Sequence, residues 1–303
     1  MMSFKDIIST LRAAVLPPTA SLPPTGGAGE GPRESLLFFF LFSLPLYLSA
    51  QCSFENRAFL SGENLEYRLY FNWKFIWIKA GTATLNIDSV SYKGQPAFRC
   101  GLLTRGSKRT DRFFMMRDTL QAYITPDLVP LYYRKGALEG KSHNVDEAWY
   151  SYADDKVNIR HRYVNTDGIV TTAETTTDEC AYDMVSMMMR ARSFDPADYK
   201  PGLKLRFPMA DGKRVKEETL IYRGKKDFKM ENTDTTYHCL VFSFVEYVGN
   251  KQKEREVVTF YITDDQNHLP VRLDLFLRFG TAKAFLTSAS GLRWPQTSIV
   301  KKR

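Results

Sequence analysis

The sequence predicts an all-β protein: a large antiparallel curled sheet, barrel or half-barrel, carrying one short α-helix near 180–193. Three observations predict it. Apolar and polar residues alternate with period two through most of the chain beyond residue 60. Turn-forming pairs recur at short intervals between the alternating runs. A single stretch breaks the alternation with helical spacing.

The first run is the longest. Leu65, Tyr67, Leu69, Phe71, Trp73, Phe75 and Trp77 fall on one face of a strand expected over 64–78, with Glu66, Arg68, Asn72 and Lys74 on the other. Leu203, Leu205, Phe207 and Met209 alternate with Lys204, Arg206 and Pro208. Val271, Leu273, Leu275, Leu277 and Phe279 alternate with Arg272, Asp274 and Arg278. One dry face and one wet face fit an antiparallel sheet. Turns are expected at Lys93-Gly94, Asp154-Asp155, Asp167-Gly168, Asp211-Gly212, Arg223-Gly224, Gly249-Asn250 and Asp264-Asp265. Asp-Gly and Gly-Asn pairs tolerate the positive φ of tight hairpins. The total is on the order of a dozen strands. Long runs such as 64–78 and 237–248 favour a curled or closed sheet over a small sandwich.

Residues 180–193 read as the helix, with Thr177 or Asp178 as candidate caps, Arg190 and Arg192 at the cation-favouring end, and Pro196 as the stop. Tyr182, Val185 and Met189 lie on one face, with Met184 and Met188 beside it. Packing of that face on the core is favoured over an adaptable Met-rich binding surface. The Thr-rich stretch 171–177 is the weakest point of the pattern and the one place where an N-terminal sheet would part from a C-terminal one.

The N-terminus reads differently. Residues 1–35 are rich in Pro and Gly, a disordered leader or a start-site artefact. Residues 36–50 read as a signal peptide: an apolar run from Leu36 to Leu48, Arg33 just before it, and Ser49-Ala50 just after. Cleavage is expected between Ala50 and Gln51, leaving 51–303 as one β-rich domain. Two alternatives stay open: a lipid anchor at Cys52, disfavoured by Gln51 before it, and an uncleaved signal anchor. Export to the periplasm is the expected location.

The 303 residues carry 42 Lys and Arg against 34 Asp and Glu, a net charge of +8. Residues 1–50 hold three bases (Lys5, Arg12, Arg33) and three acids (Asp6, Glu30, Glu34), so the remainder keeps +8. The charges are interspersed along the chain, as in Lys253-Glu254-Arg255-Glu256. A mixed solvated surface is therefore favoured over a nucleic-acid stripe, and no nucleic-acid partner is expected.

No pattern in the chain carries familiar chemistry. His143, His161, His238 and His268 have no zinc spacing, and His143 with Glu147 lies on a strand, so no metal or cofactor is expected. Ser142-His143 reads as a strand-surface pair. Glu139 with Asp146, and Asp154 with Asp155, are the nameable carboxylate pairs for glycoside chemistry, the second being a turn. Cys100 and Cys239 read as buried apolar residues, and a disulfide among the four cysteines is open. The richest cluster is Arg105, Lys108, Arg109, Arg112 and Arg117, with Asp111 and Asp118 between them. Arg105, Arg109, Arg112 and Arg117 are the candidates for holding an anionic ligand. Cross-strand ion pairing on a wet face is the favoured alternative.

Several segments in order resemble one family of exported bacterial proteins, domain of unknown function 3108. They are Gly62-Glu63-Asn64-Leu65-Glu66-Tyr67 leading into Ala80–Leu85, Phe113-Phe114 through Arg117-Asp118-Thr119, Pro130–Arg134 with Glu139-Gly140, Tyr182–Ser186, and Leu269-Pro270-Val271. The resemblance spans roughly 60–295 and implies a β-rich, barrel-like domain in the envelope of a Gram-negative, Bacteroides-like bacterium. It assigns no activity and no site residues. The favoured function is non-catalytic binding of a lipid or other amphiphile inside the curled sheet, motivated by the aromatic dry face at 65–77. An envelope enzyme acting on glycan or peptidoglycan and an assembly partner of envelope proteins are the alternatives. Membrane contact is expected only through the signal or a lipid anchor.

Overall fold

The computed structural model describes residues 52–300 apart from 74–75, 113, 198, 231–232, 249–252 and 278–279. The expected leader, the signal peptide and the Ala50–Gln51 junction lie outside the described residues.

Eight strands come first: β1 (Asn64–Trp73), β2 (Ile76–Tyr92), β3 (Gln95–Gly106), β4 (Met116–Ile124), β5 (Pro130–Glu139), β6 (Ser142–Ala153), β7 (Lys156–Val164) and β8 (Val170–Thr177). Helix α1 (Met184–Ala191) follows. Then come β9 (Lys204–Asp211), β10 (Arg214–Lys229), β11 (Thr236–Val248), β12 (Lys253–Thr263), β13 (Pro270–Leu277), β14 (Gly280–Ser290) and the two-residue β15 (Ile299–Val300). All belong to one sheet, ordered β8-β7-β6-β5-β4-β3-β2-β1-β14-β13-β12-β11-β10-β9, with β15 added to β11. Every ladder is antiparallel. The first and last long strands, β1 and β14, meet in the middle, so the edges are β8 and β9.

The sheet curls without closing. β8 comes beside β10, yet no ladder joins it to β9 among the described residues. Register shifts that leave an extra residue in β2, β5, β10, β12, β13 and β14 supply the bends. One of them corrects an expectation. Arg223-Gly224 is a bulge inside β10, with Gly224 at φ 107°, and not a hairpin turn. A second correction concerns 64–78. The chain turns between β1 and β2, so Trp73 and Ile76 face each other on neighbouring strands. Alternation continued through the reversal, which made two strands read as one. Lys93-Gly94, Asp154-Asp155 and Gly168 adopt the positive φ expected of them.

Leu65, Leu85, Ile87, Cys100, Leu120, Ala122 and Ile124 line one face of β1 to β4 and are fully buried or nearly so. Each such aliphatic side chain contributes roughly 1.5–3 kcal/mol. α1 packs on β3 and β4, burying Val185 and Met189. It is shorter than predicted and starts later. Asp183, not Thr177 or Asp178, is its cap: Oδ1 accepts from the amides of Val185 and Ser186, both at 2.9 Å, and Ser186 completes the capping box. Tyr182 lies outside the helix, bridged to Met209 of β9. The Thr-rich stretch forms β8, an edge strand of the one continuous sheet.

A disulfide joins Cys52 to Cys180. Cys100 and Cys239 are free and buried, as read. The wet face predicted for β13 is covered at Arg272 and Asp274. Arg272 holds Asp274 and lies over the rings of Phe228, Tyr261 and Phe285, an arrangement that twist and bulges bring together and alternation could not foresee.

Candidate functional site

The inner face of β4 to β7 changes character along its length. Toward the end bearing α1 it is apolar, with Leu120, Ala122 and Ile124 on β4. Toward the other end it turns polar, with Asp118 on β4, Lys135 and Glu139 on β5, and Asn144 and Asp146 on β6. Strand pairing fixes this patch. Asp118 faces Ala137 across the β4–β5 ladder, which sets Lys135 and Glu139 on its two diagonals. Asp146 is directly opposite Lys135, and Asn144 is opposite Ala137. Tyr163 on β7 donates its hydroxyl to Asn144 Oδ1 at 2.9 Å.

Burial sets the electrostatics. Asp118, Lys135, Glu139 and Asn144 are all buried. Loss of water, then the charge of Glu139, pushes the Asp118 carboxyl up to about 7, against the opposing pull of Lys135 and the Leu138 main chain. Among the described residues no side-chain donor reaches either Asp118 oxygen. Deeper in, desolvation raises Asp183 to about 6 despite its cap hydrogen bonds, and Tyr133 and Tyr150 are pushed well above the usual phenol range. His161, held 3.2 Å from Thr175 Oγ1, is shifted downward by burial and is neutral. The patch therefore offers a carboxyl that titrates near neutrality beside further acids and one ammonium group.

The sequence-named residues divide. Glu139 and Asp146 do come to one inner face, together with Asp118. Asp154 and Asp155 are an exposed turn. Arg105, Arg109 and Arg112 are exposed at the β3–β4 connection, while Arg117 is held by Asp111 through contacts of 2.5 and 3.1 Å. Among the described residues the cluster forms no ion pair across the β3–β4 ladder, and its one pair is Arg117 with Asp111 of the connection. Arg105 faces Arg117, and Asp118 points to the opposite face. Glu147, four residues from the exposed His143, binds Arg162 and Tyr132 on the outer face. Among the described residues no group of three or more metal-ligating side chains forms. Asp118 and Lys135 were missed as a pair, although the spacing Asp118-x-Leu120-x-Ala122-x-Ile124 places Asp118 on the dry face.

The family model described as "Protein of unknown function (DUF3108)" matches residues 66–287. The chain belongs to the DUF3108 family. No curated protein matches this DUF3108 chain. Among solved structures it is similar to "Crystal Structure of Beta-barrel-like Protein of Domain of Unknown Function DUF1849 from Brucella abortus". The identity is 9% and the TM-score 0.49, over 77% of this chain and 98% of that one.

Proposed function

We propose that this DUF3108 protein is an exported, non-catalytic envelope protein that holds an amphiphilic ligand against the concave face of its sheet. The polar head sits at Asp118, Lys135 and Glu139, and the apolar tail runs along Leu120, Ala122 and Ile124. One observation carries this reading: Asp118 presents two buried oxygens that no side-chain donor meets, at the head of an aliphatic strip. Buried polar atoms are ordinarily satisfied, so a guest bearing hydroxyl or amine donors fits there. The Cys52–Cys180 bond supports export to an oxidising compartment such as a Gram-negative periplasm. Uptake of a fluorescent alkyl amine and a fluorescent alkyl glycoside is the test. Saturable uptake, weakened about tenfold by Asp118→Asn in a normally folded variant, is expected. No uptake of either probe overturns the reading.

A second reading is acid–base chemistry on glycan. It is favoured by the proximity of Asp118, raised to about 7, to Glu139. Release of soluble sugar from peptidoglycan by the wild type and not by Asp118→Asn supports it. Equal, negligible release by both removes it.

A further inference from the structure

In an antiparallel meander successive connections alternate between the two ends of the sheet. The last residues of β1, β3, β5, β7, β9, β11 and β13 and the first residues of the strands that follow them therefore share one end. Among the described residues, six of the nine exposed large apolar side chains gather there: Ile76, Trp77, Met115, Ile169, Val170 and Phe276, with Ile76 65% and Ile169 61% exposed. Trp77 and Phe276 lie in one cross-strand row, through Asn72 and Thr281. Lys283 Nζ stands 4.4 Å from the Trp77 ring centre. Neighbouring segments touch there: the amide of Ser107 donates to Ala80 O of β2 at 2.8 Å and that of Gly140 to Met115 O at 2.7 Å.

The same end is basic. Lys79, Arg105, Lys108, Arg109, Arg112 and Lys141 are exposed, and none makes an ion pair among the described residues. Of the acids there, Asp111 is bound to Arg117 and Glu254 to Arg223, which leaves Asp167 as the exposed acid without an ion pair. The opposite end differs. Its lysines at 156, 225 and 229 are matched by Asp178, Asp264 and Asp234, while Lys93, Lys200 and Lys226 are exposed there without an ion pair among the described residues.

We infer that this end of the sheet docks on an anionic lipid bilayer. A globular partner would be met by one contiguous apolar patch. Here the apolar side chains fall in small groups, Ile76 and Trp77 in line with Phe276, Ile169 with Val170, and Met115, and share the end with cations that make no ion pair among the described residues. That spacing suits shallow insertion beneath a layer of anionic headgroups. The polar head patch at Asp118 lies toward this same end, so docking would bring the proposed guest's head nearest the bilayer. The docking surface itself does not depend on that guest.

The test is co-sedimentation of the purified full chain with vesicles of phosphatidylcholine alone or with phosphatidylglycerol at 7:3. An apolar N-terminal segment, if retained, binds both kinds, so the readout is the difference between them and between variants. Expected is a preference of tenfold or more for the anionic vesicles that falls steeply with salt. The R105E/R109E/R112E and I76S/W77S variants should lose it, while K93E/K200E/K226E, at the other end, keeps it. Equal binding to both vesicle kinds, or equal loss in the control variant, overturns the proposal. So does retention of the preference by both test variants, or capture of an acidic protein in place of vesicles. Vesicle binding without amphiphile uptake would strike the ligand reading alone.

Discussion

Arg192 and Glu63 form a two-pronged ion pair, 2.5 and 3.0 Å, sealed from solvent between the end of α1 and the start of β1. Arg192 also donates to Asn267 O at 3.0 and 3.2 Å, tying the β12–β13 connection into the same knot. Two ions out of water cost more than their attraction returns unless every donor is used, and here hydrogen bonds complete the set. Removing one partner leaves the other charged and buried. Glu63→Ala should destabilise the fold by about 3–5 kcal/mol, and the double variant E63L/R192M by less than either single change. Urea unfolding of the three variants measures this.

The Cys52–Cys180 bond closes a loop of 128 residues in sequence and fastens the segment before β1 to the segment before α1. Closing a loop of about 100 residues is worth roughly 4–5 kcal/mol in the chain-entropy view. Reduction, or C52S/C180S, should lower the melting temperature by ten degrees or more. Cys100 and Cys239 should resist thiol reagents until unfolding, since burial pushes both thiols up, Cys239 to about 12.

Asp183 holds the start of α1, and Asp183→Ala should cost about 1–2 kcal/mol. Serine restores part of that, because its hydroxyl caps as well. Asp183→Ser measured beside Asp183→Ala separates lost capping from lost packing.

Stability should fall as pH rises from about 5 to 8. Asp118 and Glu218 are both raised by burial, each to about 7. Between the unfolded and folded pKa the native state binds more protons than the unfolded chain, so each unit crossed removes up to about 1.4 kcal/mol per group. The loss is complete above the folded value. Asp118→Asn should flatten its share of the slope and gain most at pH 8 or higher. Chemical denaturation at pH 5, 6.5 and 8 reads it out.

How much of this was legible beforehand varies by residue. Leu65, Tyr67 and Leu69 declared β1 because a half-buried strand must alternate. Nothing local to residues 74–75 announced the reversal before Ile76, since alternation ran through it unbroken. Gly224 looked like a turn because a bulge and a turn both call on positive φ. The basic residues seemed interspersed because sequence order hides which connections share an end. Seven neighbouring pairs of strand ends gather what the chain spreads out. Asp118 was readable as an inward-facing acid. Its relation to Lys135 and Glu139 was not, because register between β4 and β5 depends on the whole sheet.

An amphiphile on the concave face, with its head at Asp118, has a direct signature in mass. Native mass spectrometry of the protein purified from producing cells, set beside its denatured mass, tests it most directly. A discrete lipid-sized adduct, lost on denaturation and depleted in Asp118→Asn, is the predicted result. A native mass equal to the bare chain, unchanged after incubation with envelope lipid extract, would contradict it.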